Sequence, residues 1–236
     1  MLASCSFDAS KAGGNRATQP ILSATIQSTP VSTSVPMLTE PIETTAAPAP
    51  SLPPPAESKD TFVRVSDYIP DIIVDLKYAG ADNFTGEVIY ASGDAWLRYG
   101  TVEKLMRVQQ ELKEIGYGLK LWDGFRPPSA QFKLWEICPN HTYVSNPNKG
   151  FSNHSRGNTV DITLVDQDGV EIEMPTGFDD FSAKADRDYS DCNETAADNS
   201  RLLEQIMVKH GFKGYYGEWW HYTDTDSYEV EHDFIP

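Results

Sequence analysis

A chain of 236 residues has room for one ordinary domain and an extension. Its formal net charge of −16, from 35 acidic against 19 basic side chains, repels phosphate backbones and argues against nucleic-acid binding. No apolar stretch reaches the roughly 18–20 residues of a helical membrane span, which predicts a soluble domain.

The extension comes first. Ser, Thr, Pro and Ala dominate residues 17–57, and nine of the 16 prolines lie between Pro20 and Pro55. The run Pro53-Pro54-Pro55 lacks backbone donors, and large apolar side chains are too sparse to offset ordering entropy. Residues 1–59 therefore read as a flexible, partly polyproline-like tail, and residues 60–236, with all but one unit of the net charge, as the folded domain. Leu2-Ala3-Ser4-Cys5 has the pattern at which bacterial lipoprotein signals are cut. The expectation is a lipid anchor at Cys5 and an extracytoplasmic enzyme on a tether; the alternative is a cytoplasmic protein with an accidental match. Cys138 and Cys192 are read as two separate buried thiols, with pairing as the alternative in an oxidising compartment.

In the domain, Ile72 to Tyr78 reads as a strand bounded by Pro70 and Gly80. Val102, Leu105, Met106, Leu112 and Ile115 fall at helical spacing behind Thr101 as N-cap, with Gly116 as the stop. Gly118 to Trp122 is a short strand entering the turn Asp123-Gly124. A helix follows Pro127-Pro128, capped by Ser129 and running through Trp135. Val160, Ile162 and Leu164 alternate with Asp161, Thr163 and Val165, the period of a half-buried strand that turns Asp161 away from the core. Leu202, Leu203, Ile206 and Met207 mark a third helix closed by His210 and Gly211, with His210 capping the helix dipole. Phe212 to Tyr222 completes the pattern as a strand or hairpin. Helices and strands mix without βαβ alternation, so the class is α+β: a small, mainly antiparallel sheet flanked by helices.

Two of the five histidines stand beside acids in unusual contexts. His154 precedes Asp161 by seven positions, from a Gly-containing loop onto a strand. His221 follows Glu218 by three, across Trp219-Trp220. On a flat strand Glu218 and His221 point to opposite faces, so a shared site requires the backbone to bend or Glu218 to reach in from a loop. Two imidazoles and a carboxylate suit zinc with a water in the fourth position, and zinc lowers that water's pKa from about 15.7 to about 7. Glu218, off the metal, fits a general base, and Arg126 in Asp123-Gly124-Phe125-Arg126-Pro127 fits an oxyanion partner. Taken singly, these signals are ambiguous. A lone His-x6-Asp is more often structural, Glu-x-x-His recurs by accident, and Arg126 alone reads as a surface ion-pair partner. The His-Glu-x-x-His motif is absent, and His141 and His232 have no persuasive context.

Together, Ser152-x-His154-x-x-Gly157-x-x-x-Asp161, Glu218-Trp219-Trp220-His221 and Trp122-Asp123-Gly124-Phe125-Arg126-Pro127 resemble the D-alanyl-D-alanine dipeptidases of the vancomycin-resistance type. The resemblance spans the domain and includes Lys77-Tyr78, Asn83 to Gly86, Phe178-Asp179 and Ser190 to Glu194. It implies a single-domain zinc D,D-peptidase fold with one zinc ion on His154, Asp161 and His221, Glu218 as base and Arg126 stabilising the transition state. It further implies that Tyr78 and Asp179 hold the substrate ammonium, with Ser152 near the substrate. The expected activity is hydrolysis of a small D,D-dipeptide, with no protein partner. A D,D- or L,D-carboxypeptidase on wall peptides, or a zinc-binding module without activity, remains as an alternative. Two departures stand out: the stretch between Arg126 and Ser152 is shorter than in the resistance enzymes, and Asn153 replaces a second serine.

Overall fold

The computed structural model describes residues 53–56 and 58–236. The expectations for residues 1–52, the Cys5 anchor among them, lie outside the described residues. A five-stranded sheet forms the centre, in the order β2-β4-β5-β7-β6. Its strands are β2 (Ile73–Val74), β4 (Gly118–Asp123), β5 (Thr159–Val165), β6 (Phe212–Tyr215) and β7 (Glu218–Asp224). Only β2 with β4 is parallel; the other pairs are antiparallel. A two-stranded antiparallel ribbon, β1 (Phe62–Arg64) with β3 (Trp96–Arg98), lies ahead of β4 in the chain. The helices are α1 (Val65–Tyr68), α2 (Tyr99–Glu114), α3 (Pro128–Ile137) and α4 (Glu194–Lys209). The class is α+β, with a mixed sheet.

Val160 is paired with Tyr222, and two residues further along β7 Asp224 accepts a hydrogen bond from Thr101 of α2 and pairs with Lys104. One face of the sheet is thus covered by α2, which also packs against α4. Val102, Leu105, Val108 and Leu112 of α2 join Leu203, Ile206 and Met207 of α4 in the buried core with Ile162 and Leu164.

Several local expectations are corrected. Helix α2 starts at Tyr99, directly off β3, with Arg98 as N-cap; Thr101 lies inside the helix, and its hydroxyl is committed to Asp224. Helix α3 starts at Pro128 with Pro127 as N-cap, because proline at the first helical position forfeits no helix hydrogen bond; Ser129 caps nothing. The strand expected over 72–78 is only Ile73–Val74, and Lys77–Ala79 closes into a 3-10 turn that buries Tyr78. Strand β5 is buried along all seven residues, and Asp161 on its second face lines a pocket. Helix α4 begins eight residues before Leu202, capped by the Asn193 side chain on Ala196 N–H at 2.9 Å. Its first turns bury only Ala196, Ala197 and Ser200, so no large apolar residue marks them. His210 is the C-cap residue, but its ring reaches Glu111 of α2 at 2.7 Å. Cys138 and Cys192 are not joined, as expected from the sequence, but Cys192 is only half-buried.

Two register shifts shape the sheet. Leu121 faces Ile162, yet Asp123 faces Asp161, so Trp122 is an extra residue that turns Asp123 onto the Asp161 face. On the other side, Gly214 faces Tyr222 but Tyr215 faces Glu218, leaving Trp219, Trp220 and His221 in a wide bulge. An odd number of inserted residues reverses the alternation, which supplies the bend that brings Glu218 and His221 to one side.

Gly157 closes the 3-10 turn Asn153–Arg156 with φ +75°, and a Cβ there would meet the Phe62 ring at 2.5 Å. Gly157→Ala is therefore expected to destabilise by about 2–4 kcal/mol, from left-handed backbone and overpacking together. A urea titration should show a lower midpoint at unchanged slope; an unaltered midpoint would contradict this account.

Candidate metal centre and active site

Asp161 on β5 stands directly across from His221 on β7 and from Asp123 on β4, so three polar side chains form a row across the middle of the sheet. His154 joins them from the 3-10 turn that leads into β5. Its Nδ1 lies 2.8 Å from the Gly124 carbonyl, so this nitrogen carries the proton and donates it. The lone pair of Nε2 is thereby turned toward Asp161 Oδ2, 3.3 Å away. His221 Nδ1 lies 3.0 Å from Asp161 Oδ1 and 3.4 Å from Glu218 Oε2. One ligand atom each from His154, Asp161 and His221 falls within 4.8 Å of the others. Asp161 Oδ1 is buried with no hydrogen-bond partner among the described residues. A buried, unsatisfied carboxylate oxygen facing imidazole nitrogens fits a cation, and the donor set suits a divalent transition metal.

Electrostatics agree with that fit. Burial works against ionised Asp161, but His154 and His221 hold its pKa well below the usual carboxylate range. Burial likewise disfavours protonated His154, and Asp161 and Asp123 outweigh it and raise that pKa. Glu218 is raised chiefly by burial, with Asp161 adding to the effect.

Arg126 is buried rather than a surface ion-pair partner. Its Nη2 donates to Asp123 Oδ2 at 2.6 Å, its Nη1 to Gln131 Oε1 at 3.1 Å and its Nε to Tyr90 Oη at 3.4 Å, while the guanidinium lies over the Tyr78 ring. A guanidinium has five N–H donors, so two remain uncommitted among the described residues. Tyr78 donates its phenolic proton to Asp179 Oδ2 at 2.7 Å. Asp179 adopts φ +54° and its carboxyl is pushed well above the ordinary range, first by burial and then by Asp161 and Glu218. Every residue expected at the site, Ser152 included, lines one cavity of about 290 Å³.

The profile of a peptidase family described as D-ala-D-ala dipeptidase matches residues 58–235. The chain belongs to this family. A D-alanyl-D-alanine dipeptidase of Escherichia coli is 37% identical over 161 residues, covering 68% of this chain and 83% of that one. One from Enterococcus faecalis is 33% identical over 185 residues, covering 70% and 92%. A vancomycin-resistance D,D-pentapeptidase solved with Zn(II) is more distant, at 17% identity and a TM-score of 0.39 over 58% of this chain and 77% of that one.

Within this family member, several pocket residues had no signal in the sequence. His141, Thr142, Tyr143 and Ser145 line the cavity from the loop after α3, and Tyr215 lines it from the hairpin. Tyr90 donates to Asp123 Oδ1 at 2.5 Å from a segment far from any motif. Asp123 was visible as part of the Arg126 turn, without a role; it fixes Arg126, Tyr90 and the Gly124 N–H together.

If the cluster holds a metal, replacing His154 or Asp161 by Ala is expected to abolish stoichiometric metal uptake, because each offers one of the three converging ligand atoms and outer-shell losses alone cost about 10–100-fold in affinity. Metal analysis after dialysis against buffered divalent ions checks this, and full retention in either variant would move the centre elsewhere.

Proposed function

We propose that the protein hydrolyses D-alanyl-D-alanine with one zinc ion held by His154, Asp161 and His221. The observation that carries the reading is the convergence of those three ligand atoms within 4.8 Å, with Glu218 beside them and Arg126 in the same cavity. Bound there, zinc supplies a Lewis acid and lowers the pKa of water toward about 7.

The protein's own groups account for the rest. Glu218, kept basic enough by burial to accept a proton, takes one from the attacking water and delivers it to the amine nitrogen as the C–N bond breaks and the C–O bond forms. The two uncommitted N–H donors of Arg126 face developing negative charge on the carbonyl oxygen. Asp179, with Tyr78, receives the free ammonium of the substrate, and that ammonium offsets the cost of ionising a buried carboxyl. Ser152 lines the cavity beside His154 and is assigned to the substrate. A site that spends a buried carboxyl on a free amine selects a dipeptide over a longer wall peptide.

The proposed setting is extracytoplasmic, with Cys5 lipid-anchored and the Ser/Thr/Pro-rich stretch as tether. There the enzyme would consume dipeptide released from the cell wall. Expressed in a bacterium with its own upstream reading frame, the protein should fractionate with membranes and carry lipid on Cys5 by mass spectrometry. An unmodified Cys5 in a soluble cytoplasmic product would overturn the setting and leave the chemistry intact.

Glu218→Gln should lower kcat on D-Ala-D-Ala by about 10²–10⁴-fold at unchanged metal content. The zinc-loaded protein should cleave D-Ala-D-Ala in preference to L-Ala-L-Ala, N-acetyl-D-Ala-D-Ala and a D-Ala-D-Ala-ending pentapeptide, measured as released alanine. Preference for the pentapeptide would move the protein to the carboxypeptidases, and near-normal turnover by Glu218→Gln would refute the assignment of the base.

A further inference from the structure

The loop between α3 and the His154 turn forms one wall of the cavity, and it carries no metal ligand and no part of the motifs. His141, Thr142, Tyr143 and Ser145 all line the cavity from it. Val144, between them, is buried and anchors the loop in the core. A second tie is polar. The Ser145 carbonyl accepts a hydrogen bond of 2.8 Å from Gln131 Nε2. The other end of the same amide, Oε1, accepts from Arg126 Nη1 at 3.1 Å. Gln131 is fully buried.

The chemistry of an amide makes this a directional clamp. The amide nitrogen only donates and the amide oxygen only accepts, while a guanidinium only donates and a peptide carbonyl only accepts. The orientation of Gln131 is therefore fixed by its two partners, and neither half can rotate without leaving a buried polar group unmet. Arg126 is held at three points: Asp123 sits on its own turn, Tyr90 lies at a long 3.4 Å, and Gln131 alone leads to the cavity wall. Movement of the loop at Ser145 is thus transmitted to the guanidinium. The loop also reaches the opposite end of the site, since Tyr143 packs on Phe181 at 4.7 Å, Phe181 on Phe84, and Phe84 on Tyr78, the partner of Asp179.

We propose that Gln131 is a positioning residue of the reaction: it couples the seating of the loop over residues 139–148 to the placement of the Arg126 guanidinium. The inference rests on the role of Arg126 in the reading above. Substrate that seats the loop through Tyr143 and Ser145 then aligns Arg126, and a loop left open leaves Arg126 misplaced.

The test measures D-Ala-D-Ala kinetics and metal content for Gln131→Met, Gln131→Glu, Arg126→Lys and the Gln131→Met/Arg126→Lys pair. Gln131→Met keeps the shape and removes both hydrogen bonds; kcat should fall by about 10–100-fold at unchanged metal content, the scale of a displaced catalytic group. Gln131→Glu keeps the acceptor for Arg126 and loses the donor to Ser145, so it uncouples the loop and kcat should fall as it does in Gln131→Met; kcat within about twofold of the parent would overturn the coupling. In the Arg126→Lys background, Gln131→Met should change kcat by less than about twofold, because the group it positions is already gone. Turnover by Gln131→Met within about twofold of the parent, or the same loss in the Arg126→Lys background, overturns the proposal. Unchanged kcat in Arg126→Lys alone would instead remove the role of Arg126, a distinguishable result that removes this inference with it.

Discussion

The structure depends on one costly arrangement: carboxylates and an imidazole set side by side in the interior of a sheet. Asp123, Asp161 and His221 occupy one cross-strand row over β4, β5 and β7, at positions where a sheet of this kind places Val or Ile. Burying an ionised carboxylate without a partner costs several kcal/mol, so the row stands only because each oxygen meets a donor or a site for a cation. Asp123 is met by Arg126, Tyr90 and the Gly124 N–H. Asp161 faces His154 with Oδ2 and His221 with Oδ1, and Oδ1, buried and without a hydrogen bond among the described residues, is the atom that a metal would meet. The two register shifts follow from this demand. Without the extra residue at Trp122, Asp123 would face the hydrophobic side with Leu121; without the wide bulge, Glu218 would point away from His221.

Charge in the cavity completes the argument. Asp161, Asp179 and Glu218 line the cavity, and Arg126 is the one Lys or Arg on its wall among the described residues. Burial holds Asp179 and Glu218 above their ordinary range, and the neighbouring acids add to it. A divalent ion and a substrate ammonium would supply the missing positive charge.

The core of the site was legible because its parts are local in sequence. His154 to Asp161 is a turn and the strand it feeds, Glu218 to His221 is one bulged strand, and Asp123 to Arg126 is one turn. Each motif carries its own geometry over a few residues. What could not be read depends on where distant segments meet. Tyr90 and Gln131 have no local pattern, and their roles exist only because the fold packs them on Arg126. In Gly118 to Asp123 the alternation of Leu119 and Leu121 around Lys120 breaks at Trp122, but two adjacent apolar residues read equally well as a strand buried on both faces and do not by themselves announce an extra residue. The start of α4 was hidden for a different reason: its first buried residues are small, so the helical period had no large side chain to display it.

The loop after α3 joins these two observations. It contributes four lining residues that no motif contains. The loop is pinned at Val144, which is buried, and at Ser145, whose carbonyl accepts from Gln131. Its aromatic contact through Tyr143 and Phe181 reaches toward Tyr78 and Asp179, while its polar contact through Gln131 reaches Arg126. A metal on His154, Asp161 and His221 would fix where the bond is broken. The wall built by this loop fixes how much room lies on either side of it, and that is where members of one family with the same ligands can differ in the peptide they accept.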